Sequence, residues 1–209
     1  MRDVPSIVTI RQATTADARA IAEVHVYSWQ WAYRGLIPDS YLDRLSIDSR
    51  AEGHAQRLAA ETEGRTWVAE QEGRIAGFAT TVPSRDPDAP SGTGELGAIY
   101  LRREAASQGI GRVLFAHAIH DLRQRGYQQA TLWVLDSNAR ARRFYEKSGW
   151  VADGTTKTEE RPGVLLREVR YRASLRPEGD EALRTEAFTP SSRGDISPWE
   201  LPVDPLSKG

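Results

Sequence analysis

Two kinds of hydrophobic run follow each other along the chain: short runs, and longer runs with a helical period. The first kind predicts strands over residues 8–12, where hydrophobic and polar positions alternate, over 66–70, 74–82, 129–135, 150–152 and 165–173, and over the largely buried run 95–101. The second kind predicts a helix that starts from the capping residues 14–17 and runs to about residue 29. Further helices are predicted over residues 39–45, 48–60, 109–125 and 138–148. This order of elements predicts a mixed α/β sheet, with a hairpin turn at Glu72-Gly73 and a helix end at Gly149.

The last part of the chain has a different character. Five of the eleven prolines lie between Pro177 and Pro205, among mostly polar residues. Such a composition is typical of irregular structure, because it offers little apolar surface to bury. We therefore expect one domain over residues 6–175 and a proline-rich extension over residues 176–209, with at most a helical turn near residues 180–184.

The charge balance narrows the class of protein. The chain has 28 basic and 29 acidic residues, a formal net charge of -1, and 39% hydrophobic residues. A nucleic-acid partner is not expected, because phosphate recognition usually requires a basic excess. No run of about 18 apolar residues predicts a membrane span, and the first residues lack the apolar core of a signal peptide. We accordingly expect a cytoplasmic protein.

Cysteine is absent from all 209 residues. This excludes disulfides, thiolate metal sites and cysteine nucleophiles together. No covalent intermediate on a cysteine side chain can therefore form in a reaction of this chain.

The stretch from Gln108 to Arg112 has the composition of a phosphate-binding turn. Gly109 and Gly111 lie where a loop enters a helix, so the backbone can curl and present several N–H groups to one anion at the positive end of the helix dipole. A Walker loop is excluded because no Gly-Lys-Ser/Thr follows, and a dinucleotide fingerprint is disfavoured because its third glycine position holds Leu114. Coenzyme A remains, beside the alternative of an ordinary helix start.

The surrounding segments carry a resemblance. In order and spacing, the runs ELGAIYL, QGIGRVL, TLWVLDSN and ARRFYEKSGW between residues 95 and 153 resemble the GCN5-related N-acetyltransferase (GNAT) family. The resemblance extends to residues 66–153, is weaker over residues 10–60 and leaves out the tail. It implies an acyl-CoA N-acyltransferase fold: a mixed, mostly antiparallel sheet of about seven strands, helices on both faces and a splayed parallel strand pair. Two family positions differ, since Ala106 replaces a glutamine or arginine and Ser107 a common glycine.

By that resemblance, acetyl-CoA is the co-substrate and the site residues follow by position. Backbone groups around Tyr100 would bind the pantetheine arm, and Asn138, also a helix N-cap, would lie beside it. Backbone amides of the loop would take the pyrophosphate. The cofactor-binding residues expected are Ile99, Tyr100, Leu101, Ser107, Gln108, Gly109, Ile110, Gly111, Arg112 and Asn138.

Two residues are candidates for the chemistry. The family places a tyrosine near the CoA sulfur, which corresponds to Tyr145, and several members carry a glutamate base that acts through water, which corresponds to Glu95. With reference pKa values near 10 for a phenol and 8.5 for a thiol, we favour a hydrogen bond from Tyr145 to the leaving thiolate over full proton transfer. The alternatives are a core aromatic for Tyr145 and an exposed strand-edge carboxylate for Glu95.

Aromatic residues are dense between residues 25 and 34. In the family, the end of the first helix and the loop after it form a wall of the acceptor site, so Trp29, Trp31 and Tyr33 are candidates to contact an organic amine. The other tryptophans, Trp67, Trp133 and Trp150, lie in predicted strands and are expected in the core. A metal site is not expected: His117 and His120 are three apart on one helix, but no third ligand is near in sequence.

The sequence thus predicts an N-acetyltransferase that moves acetyl from acetyl-CoA to a primary amine, of a small molecule or of a peptide. No nucleic acid, membrane or metal is expected as a partner, and a homodimer is left open. A non-catalytic acyl-CoA sensor of the same fold and a nucleotide-binding protein are the alternatives.

Overall fold

A computed structural model describes residues 8–60, 63–106 and 108–176. Its strands are β1 Val8–Gln12, β2 Arg65–Gln71, β3 Arg74–Pro83, β4 Thr93–Leu101, β5 Gln129–Leu135, β6 Val151–Arg161 and β7 Val164–Ser174. Its α-helices are α1 Ala18–Ala32, α2 Asp39–Leu42, α3 Ile47–Ala59, α4 Ile110–Gln124 and α5 Ala139–Lys147. Ser107 and the proline-rich extension from residue 177 onward, with its expected helical turn, lie outside the described residues.

All seven strands form one sheet in the order β1-β2-β3-β4-β5-β7-β6. Neighbouring strands are antiparallel except β4 and β5, which run parallel. Those two strands pair only from Thr93 to Glu95, opposite Gln129 to Thr131. Beyond that point they separate, so the predicted mixed sheet with a splayed parallel pair is confirmed.

A bulge in β4 lies at the point of separation. Ala98 opposes Thr80 of β3 and Leu96 opposes Thr81, so Gly97 has no counterpart between them. An extra residue of this kind bends its strand and increases the local twist. The bulge therefore directs the second half of β4 away from β5 and opens the sheet.

Helices cover both faces of the sheet, as predicted. On one face, α4 buries Ile110, Leu114, Ala118 and Leu122, one helical turn apart, in the largest core cluster. On the other face, α1 buries Ile21 and Val24 against strand residues that include Phe78, and α3 packs beside α1.

A buried carboxylate ties α4 to the sheet. Asp121 is 4% exposed, accepts a hydrogen bond from the Thr81 hydroxyl at 2.6 Å and pairs with Arg65 of β2 at 2.7 Å. Burial of a charge is tolerated where such partners satisfy it. This network fixes α4, and with it the loop at the beginning of α4, relative to the central strands.

The last hairpin is longer than the pattern predicts. The strand predicted over residues 150–152 is β6, Val151–Arg161, and it pairs with β7 up to Arg161 and Val164. Nearly every β6 residue is exposed, because β6 is the outermost strand of the sheet. An edge strand with polar residues on both sides has no hydrophobic alternation, which is why its length does not show in the sequence.

No helix in the described parts of the chain combines the length and the apolar character needed to cross a bilayer.

Candidate functional site

A cavity of about 1050 Å³ opens where β4 and β5 separate. It is bounded by the second half of β4, the end of β5, helices α1, α3 and α5, and the β6–β7 hairpin. The residues predicted as site residues that line it are Glu95, Ile99, Tyr100, Leu101, Asn138, Tyr145, Trp29, Trp31 and Tyr33.

The backbone of β4 presents unpaired groups to this opening. The Arg102 N–H donates to the Ala76 carbonyl of β3 at 2.8 Å. Because the backbone groups of successive strand residues point to opposite sides, those of Tyr100 face β3 and those of Ile99 and Leu101 face the space that β5 has left. The Ser28 hydroxyl on α1 donates to the Leu101 carbonyl, so that side of the opening is already held by a helix.

The turn into α4 has the geometry of an anion-binding helix start. Gly109 is the N-cap residue and adopts a left-handed conformation with φ of 78°, where a side chain is disfavoured. The Gln108 side chain donates to the Glu104 carbonyl at 2.7 Å and holds the turn. The Ile110 side chain is buried in the core, whereas Arg112 is exposed. The Arg112 N–H donates to the Gly109 carbonyl at 3.0 Å, while the N–H groups of Ile110 and Gly111 have no partner within the helix, which suits a phosphate ligand.

Helix α5 brings two predicted residues to the cavity. The Asn138 side-chain oxygen accepts from the Ala141 N–H at 3.1 Å, which confirms the predicted N-cap. Tyr145 is 8% exposed and its ring lies 6.1 Å from that of Phe115 and 6.3 Å from that of Trp150. Burial raises the pKa of Tyr145, so its phenol keeps its proton near neutral pH and can donate a hydrogen bond. Tyr145 therefore belongs both to the core and to the cavity wall.

Glu95 is not the exposed strand-edge carboxylate of the alternative interpretation. It is 3% exposed and faces the cavity. The Arg85 backbone N–H donates to one of its oxygens at 3.2 Å, and the Arg85 guanidinium binds both oxygens. Glu95 is thus an anchored carboxylate at the point where β4 and β5 part.

The aromatic residues at the end of α1 form one wall. The rings of Trp29 and Tyr33 meet edge to face at 5.0 Å. Burial, together with the neighbouring Tyr100 and Tyr145 hydroxyls, raises the pKa of Tyr33. Among the described residues, the indole nitrogens of Trp29 and Trp31 are buried without a hydrogen-bond partner.

The prediction that Trp133 is a core residue is wrong. Trp133 lines the cavity, and its indole N–H donates to Asp86 at 2.9 Å. The Lys157 ammonium lies 4.2 Å from its ring centroid. Trp133 is on β5 just where β4 has moved away, so one of its faces lacks the cover that a central strand normally has. Trp150, by contrast, is 4% exposed in the core, as predicted.

Two histidines that the sequence did not single out face the cavity across the α1–α3 interface. His25 Nδ1 and His54 Nε2 are 3.3 Å apart, and the His25 ring stacks on Tyr100 with centroids 4.9 Å apart. Burial, with the nearby charges of Arg50 and Arg57, lowers the pKa of His25 to about 3 and that of His54 to about 4. Both are neutral at pH 7. They are 29 residues apart, and no short-range motif signals the contact.

The opposite wall is a network of ion pairs. Arg170 on β7 is 2% exposed and pairs with Asp88 at 2.6 Å, Asp153 at 2.7 Å and Asp86 at 3.2 Å. Nearby, Glu168 pairs with Lys157 at 3.3 Å, and burial raises the pKa of Glu168. These contacts join the 84–92 loop to the last hairpin, so they depend on the tertiary fold and not on a local motif.

Helix histidine His117, considered above for a metal pair, packs edge-on against Trp67 with centroids 4.3 Å apart. Within residues 8–60, 63–106 and 108–176, no group of three or more histidine or carboxylate side chains is placed to hold a metal ion.

Comparison with known proteins assigns the chain to a family. The family model described as "Acetyltransferase (GNAT) family" matches residues 24–150. An uncharacterized N-acetyltransferase of Bacillus subtilis (strain 168), YuaI, is 35% identical over 132 residues, which cover 63% of this chain and 74% of that protein. A mycothiol acetyltransferase of Acidimicrobium ferrooxidans is 36% identical over 86 residues, 41% of this chain and 27% of that protein. The PaiA N-acetyltransferase of Thermoplasma acidophilum, solved with coenzyme A, superposes with a TM-score of 0.60 at 20% identity, over 80% of this chain and 99% of that one.

Proposed function

Since this chain belongs to the GNAT acetyltransferase family and is an acetyl-CoA-dependent N-acetyltransferase, we propose that it transfers acetyl directly to a primary amine of a small molecule inside the cavity between β4 and β5. The 6–175 segment is then one catalytic domain, and the role of residues 176–209 stays a prediction, as does a homodimer.

One observation carries the proposal. The cavity that opens between β4 and β5 extends from Ala106, three residues before the helix start at Gly109, to the buried phenol of Tyr145. A long cofactor with a pyrophosphate at one end and a thioester at the other fits this arrangement. The pyrophosphate would meet the N–H groups around Gly109, the pantetheine amides would pair with β4 at Ile99 and Leu101, and the thioester would reach Tyr145.

Cofactor binding by the turn before α4 does not require the glutamine or arginine side chain that the family commonly has at position 106. Ala106 lines the cavity and supplies no polar side chain at the family's glutamine or arginine position. The helix dipole and several backbone donors remain, and both act on a phosphate irrespective of side-chain identity. Cofactor affinity therefore rests on backbone geometry, above all on the left-handed turn at Gly109.

The transfer is a single acyl substitution. The neutral amine attacks the thioester carbonyl, the C–N bond forms, the C–S bond breaks, and the electron pair leaves on the CoA sulfur. Tyr145 donates a hydrogen bond to that thiolate, and its raised pKa makes the bond, rather than full proton transfer, the dominant contribution. With no cysteine in the sequence, no acetyl-cysteine intermediate is formed.

The amine must lose a proton, and two carboxylates are placed to receive it. Glu95 lies at the start of the opening, but Arg85 binds both of its oxygens. Glu168 lies across the cavity, where it pairs with Lys157 and burial raises its pKa, so it is a second carboxylate that can accept a proton. We retain Glu95 as the proposed base, acting through water, and name Glu168 as the residue that competes for this role.

The aromatic wall suits an organic amine. Trp29, Trp31 and Tyr33 offer apolar faces and ring quadrupoles, to which an ammonium group is attracted before it loses its proton. The matched part of the mycothiol acetyltransferase is only 27% of that enzyme, so its acceptor is not carried over to this chain. A peptide amine stays the alternative acceptor.

The experiment is thiol release from acetyl-CoA with a panel of primary amines, accompanied by the intact mass of the protein. We expect release that depends on an amine and an acetylated amine as product. The mass of the protein should not increase by about 42 Da, the net gain when one acetyl group replaces a hydrogen. Tight CoA binding without release for any amine would favour the sensor, for which the Arg85 contact with Glu95 is the supporting observation. Calorimetric preference for ATP or NAD over acetyl-CoA would remove the proposal.

A further inference from the structure

One face of α3 carries a row of basic residues that the acetyl transfer described above does not use. Arg50, His54 and Arg57 are spaced four and three residues apart, so they lie on the same side of the helix. All three line the cavity. We call these three residues the α3 basic face.

The two guanidiniums of this face differ from the other cavity cations. Arg85 pairs with Glu95, and Lys157, Arg161 and Arg170 each pair with a carboxylate as well. Arg50 and Arg57 have no carboxylate within ion-pair distance among the described residues. Arg50 instead lies 6.0 Å from the centroid of the Trp29 ring, and Arg57 bonds a histidine.

Two positive charges are thus held close together without an anion. Arg57 is exposed and Arg50 is half-buried, and partial burial, with the nearby charges of Arg50 and Arg85, lowers the pKa of Arg57. Both guanidiniums are therefore accessible from the cavity to a ligand that can pair with them. An anionic ligand would supply the missing partner.

The histidines fix the orientation of Arg57 without adding charge. Arginine can only donate, so the contact of 3.3 Å between Arg57 Nη2 and His54 Nδ1 makes that nitrogen an acceptor. The His54 proton is then on Nε2, from which it is donated to His25 Nδ1 at 3.3 Å. A directional chain runs from Arg57 through His54 to His25, and it requires both rings to be neutral, in agreement with their lowered pKa values.

The charge of the whole cavity points the same way. Its lining carries seven lysine or arginine side chains and five carboxylates, an excess of two positive charges, although the chain as a whole has a net charge of -1. This excess of cations in the lining favours an acceptor of negative charge.

We propose that the acetyl acceptor carries a negatively charged group, a carboxylate or a phosphate, that binds Arg50 and Arg57 of the α3 basic face while its amine points to the thioester. This inference rests on the proposed N-acetyltransferase function and narrows its substrate class to anionic amines. A polyamine is disfavoured, because it would bring further positive charge to a cavity that already has an excess.

Tyr100 connects the two ends of such a substrate. Its ring stacks on His25, which is bonded to the basic face through His54. It also lies close enough to Tyr145 for its hydroxyl to raise the pKa of Tyr145, after burial as the first cause. The basic face and the proposed thioester position are therefore linked along the cavity wall through two ring side chains, His25 and Tyr100.

The test compares amines that differ in one charge. The probes are used in pairs: amino acids with their amides, γ-aminobutyrate with 4-aminobutanamide, and phosphoethanolamine with ethanolamine. The rate with each amine is measured as thiol release from acetyl-CoA. We expect at least one acid to have a kcat/KM about tenfold or more above that of its neutral partner, because charge-assisted hydrogen bonds are roughly twice as strong as neutral ones. The carboxylate and phosphate pairs distinguish the two sources of the charge.

The test variant is the double variant that carries both Arg50→Gln and Arg57→Gln. The control variant is Arg123→Gln. Arg123 is exposed on α4 and does not line the cavity. The double variant is expected to raise the KM of the preferred acid about tenfold to a hundredfold, with little change for the neutral amine and with wild-type affinity for CoA. The control is expected to keep the wild-type preference.

Three outcomes overturn the inference. Equal kcat/KM values within every pair would do so while leaving the transferase function intact. If the Kd for CoA rises in the double variant as much as the KM of the acid does, Arg50 and Arg57 bind the cofactor and not the acceptor. If no amine releases thiol, the proposed function fails, and calorimetry of the same acids on the CoA-loaded protein still decides: binding that is absent, or that the double variant leaves unchanged, rejects an anion site.

Discussion

The two sides of the cavity are built in different ways. The side proposed for the cofactor consists of the β4 backbone and the turn at Gly109, and its polar groups are main-chain N–H and C=O groups. The side proposed for the acceptor consists of side chains from α1, α3 and the last hairpin: histidines, arginines, tryptophans and carboxylates. The cofactor side can bind the same ligand with almost any side chains at its positions. The acceptor side can be altered by substitution without disturbing the cofactor side.

This division explains how one fold can serve different acceptors. A backbone site is specified by chain geometry, which here follows from the Gly97 bulge and the left-handed Gly109. A side-chain site is specified by which residues happen to face the cavity. Substitutions on the two sides should therefore change different kinetic quantities, and the predictions below separate them.

Tyr145 lies where the two sides meet, and its removal should have the largest effect. In Tyr145→Phe we expect kcat to fall by about a hundredfold, because the leaving thiolate loses its donor, while the Kd for CoA stays near the wild-type value. Thiol release and calorimetry give the two numbers. Tyr27→Phe is the control, since Tyr27 is 46% exposed and does not line the cavity. Unchanged turnover in Tyr145→Phe would leave Tyr145 as a core aromatic only.

The acceptor side should make the protein sensitive to acid. The pKa of His54 is lowered to about 4 in the fold, against about 6.5 in the unfolded chain, so between these values the unfolded state binds more protons. The corresponding stabilisation is fully present above about pH 6.5 and is lost as the pH falls toward 4. For His54 alone we expect a loss of about 1–2 kcal/mol in the free energy of unfolding between pH 7 and pH 5.

The measurement is urea unfolding of the wild type and His54→Gln at pH 7 and pH 5. Hydrogen bonds lost in the variant lower its free energy of unfolding at both pH values. The change in stability from pH 7 to pH 5 in the wild type, minus the same change in the variant, therefore isolates the titration of His54. We expect the pH dependence of the variant to be smaller by about 1–2 kcal/mol. An identical pH dependence in the two proteins would show that His54 is not held neutral by the fold.

The cofactor side should respond to a change of backbone freedom. Gly109 and Gly126 have φ values of 78° and 82°, and in both places an added Cβ would meet no atom within 4 Å. Alanine at either position should lower the free energy of unfolding by about 1 kcal/mol, because left-handed backbone is unfavourable for alanine. Only Gly109→Ala should also weaken CoA, by about tenfold in Kd, an amount that corresponds to the loss of about one hydrogen bond.

Calorimetry with CoA and urea unfolding of both variants test this pair. Equal Kd values in Gly109→Ala and Gly126→Ala, at equal loss of stability, would mean that the turn before α4 does not contact the cofactor.

The cofactor side was more predictable from the sequence than the acceptor side. The helix start at Gly109, the N-cap Asn138 and the β4 strand are local patterns, so periodicity and spacing predicted them along with a mixed α/β sheet, while the splayed parallel pair was predicted from the resemblance. Trp133 was expected in the core because a central strand is normally covered on both faces, and only the separation of β4 from β5 exposes it to the cavity. That separation depends on the Gly97 bulge, which the pattern of residues 95–101 does not reveal.

The acceptor side was hardly predictable, because its contacts join distant parts of the chain. Arg170 meets Asp88 across 82 residues, and His25 meets His54 across 29. The spacing of Arg50, His54 and Arg57 is visible on a helix, yet without the cavity beside it such a row is most simply a solvated face. The aromatic wall at Trp29, Trp31 and Tyr33 was predicted from the resemblance, and the structure places these residues beside the cavity while their contact with an acceptor stays a proposal.

Hydrogen–deuterium exchange with and without acetyl-CoA tests the central claim most directly, since that claim assigns the cofactor to backbone groups and the acceptor to side chains. We expect acetyl-CoA alone to slow exchange in the peptides that contain Ile99, Leu101 and Gly109 to Gly111, whose N–H groups face the opening, and to leave residues 47–59 of α3 unchanged. Protection of α3 by the cofactor alone, or no protection of β4 and the turn before α4, would contradict the account.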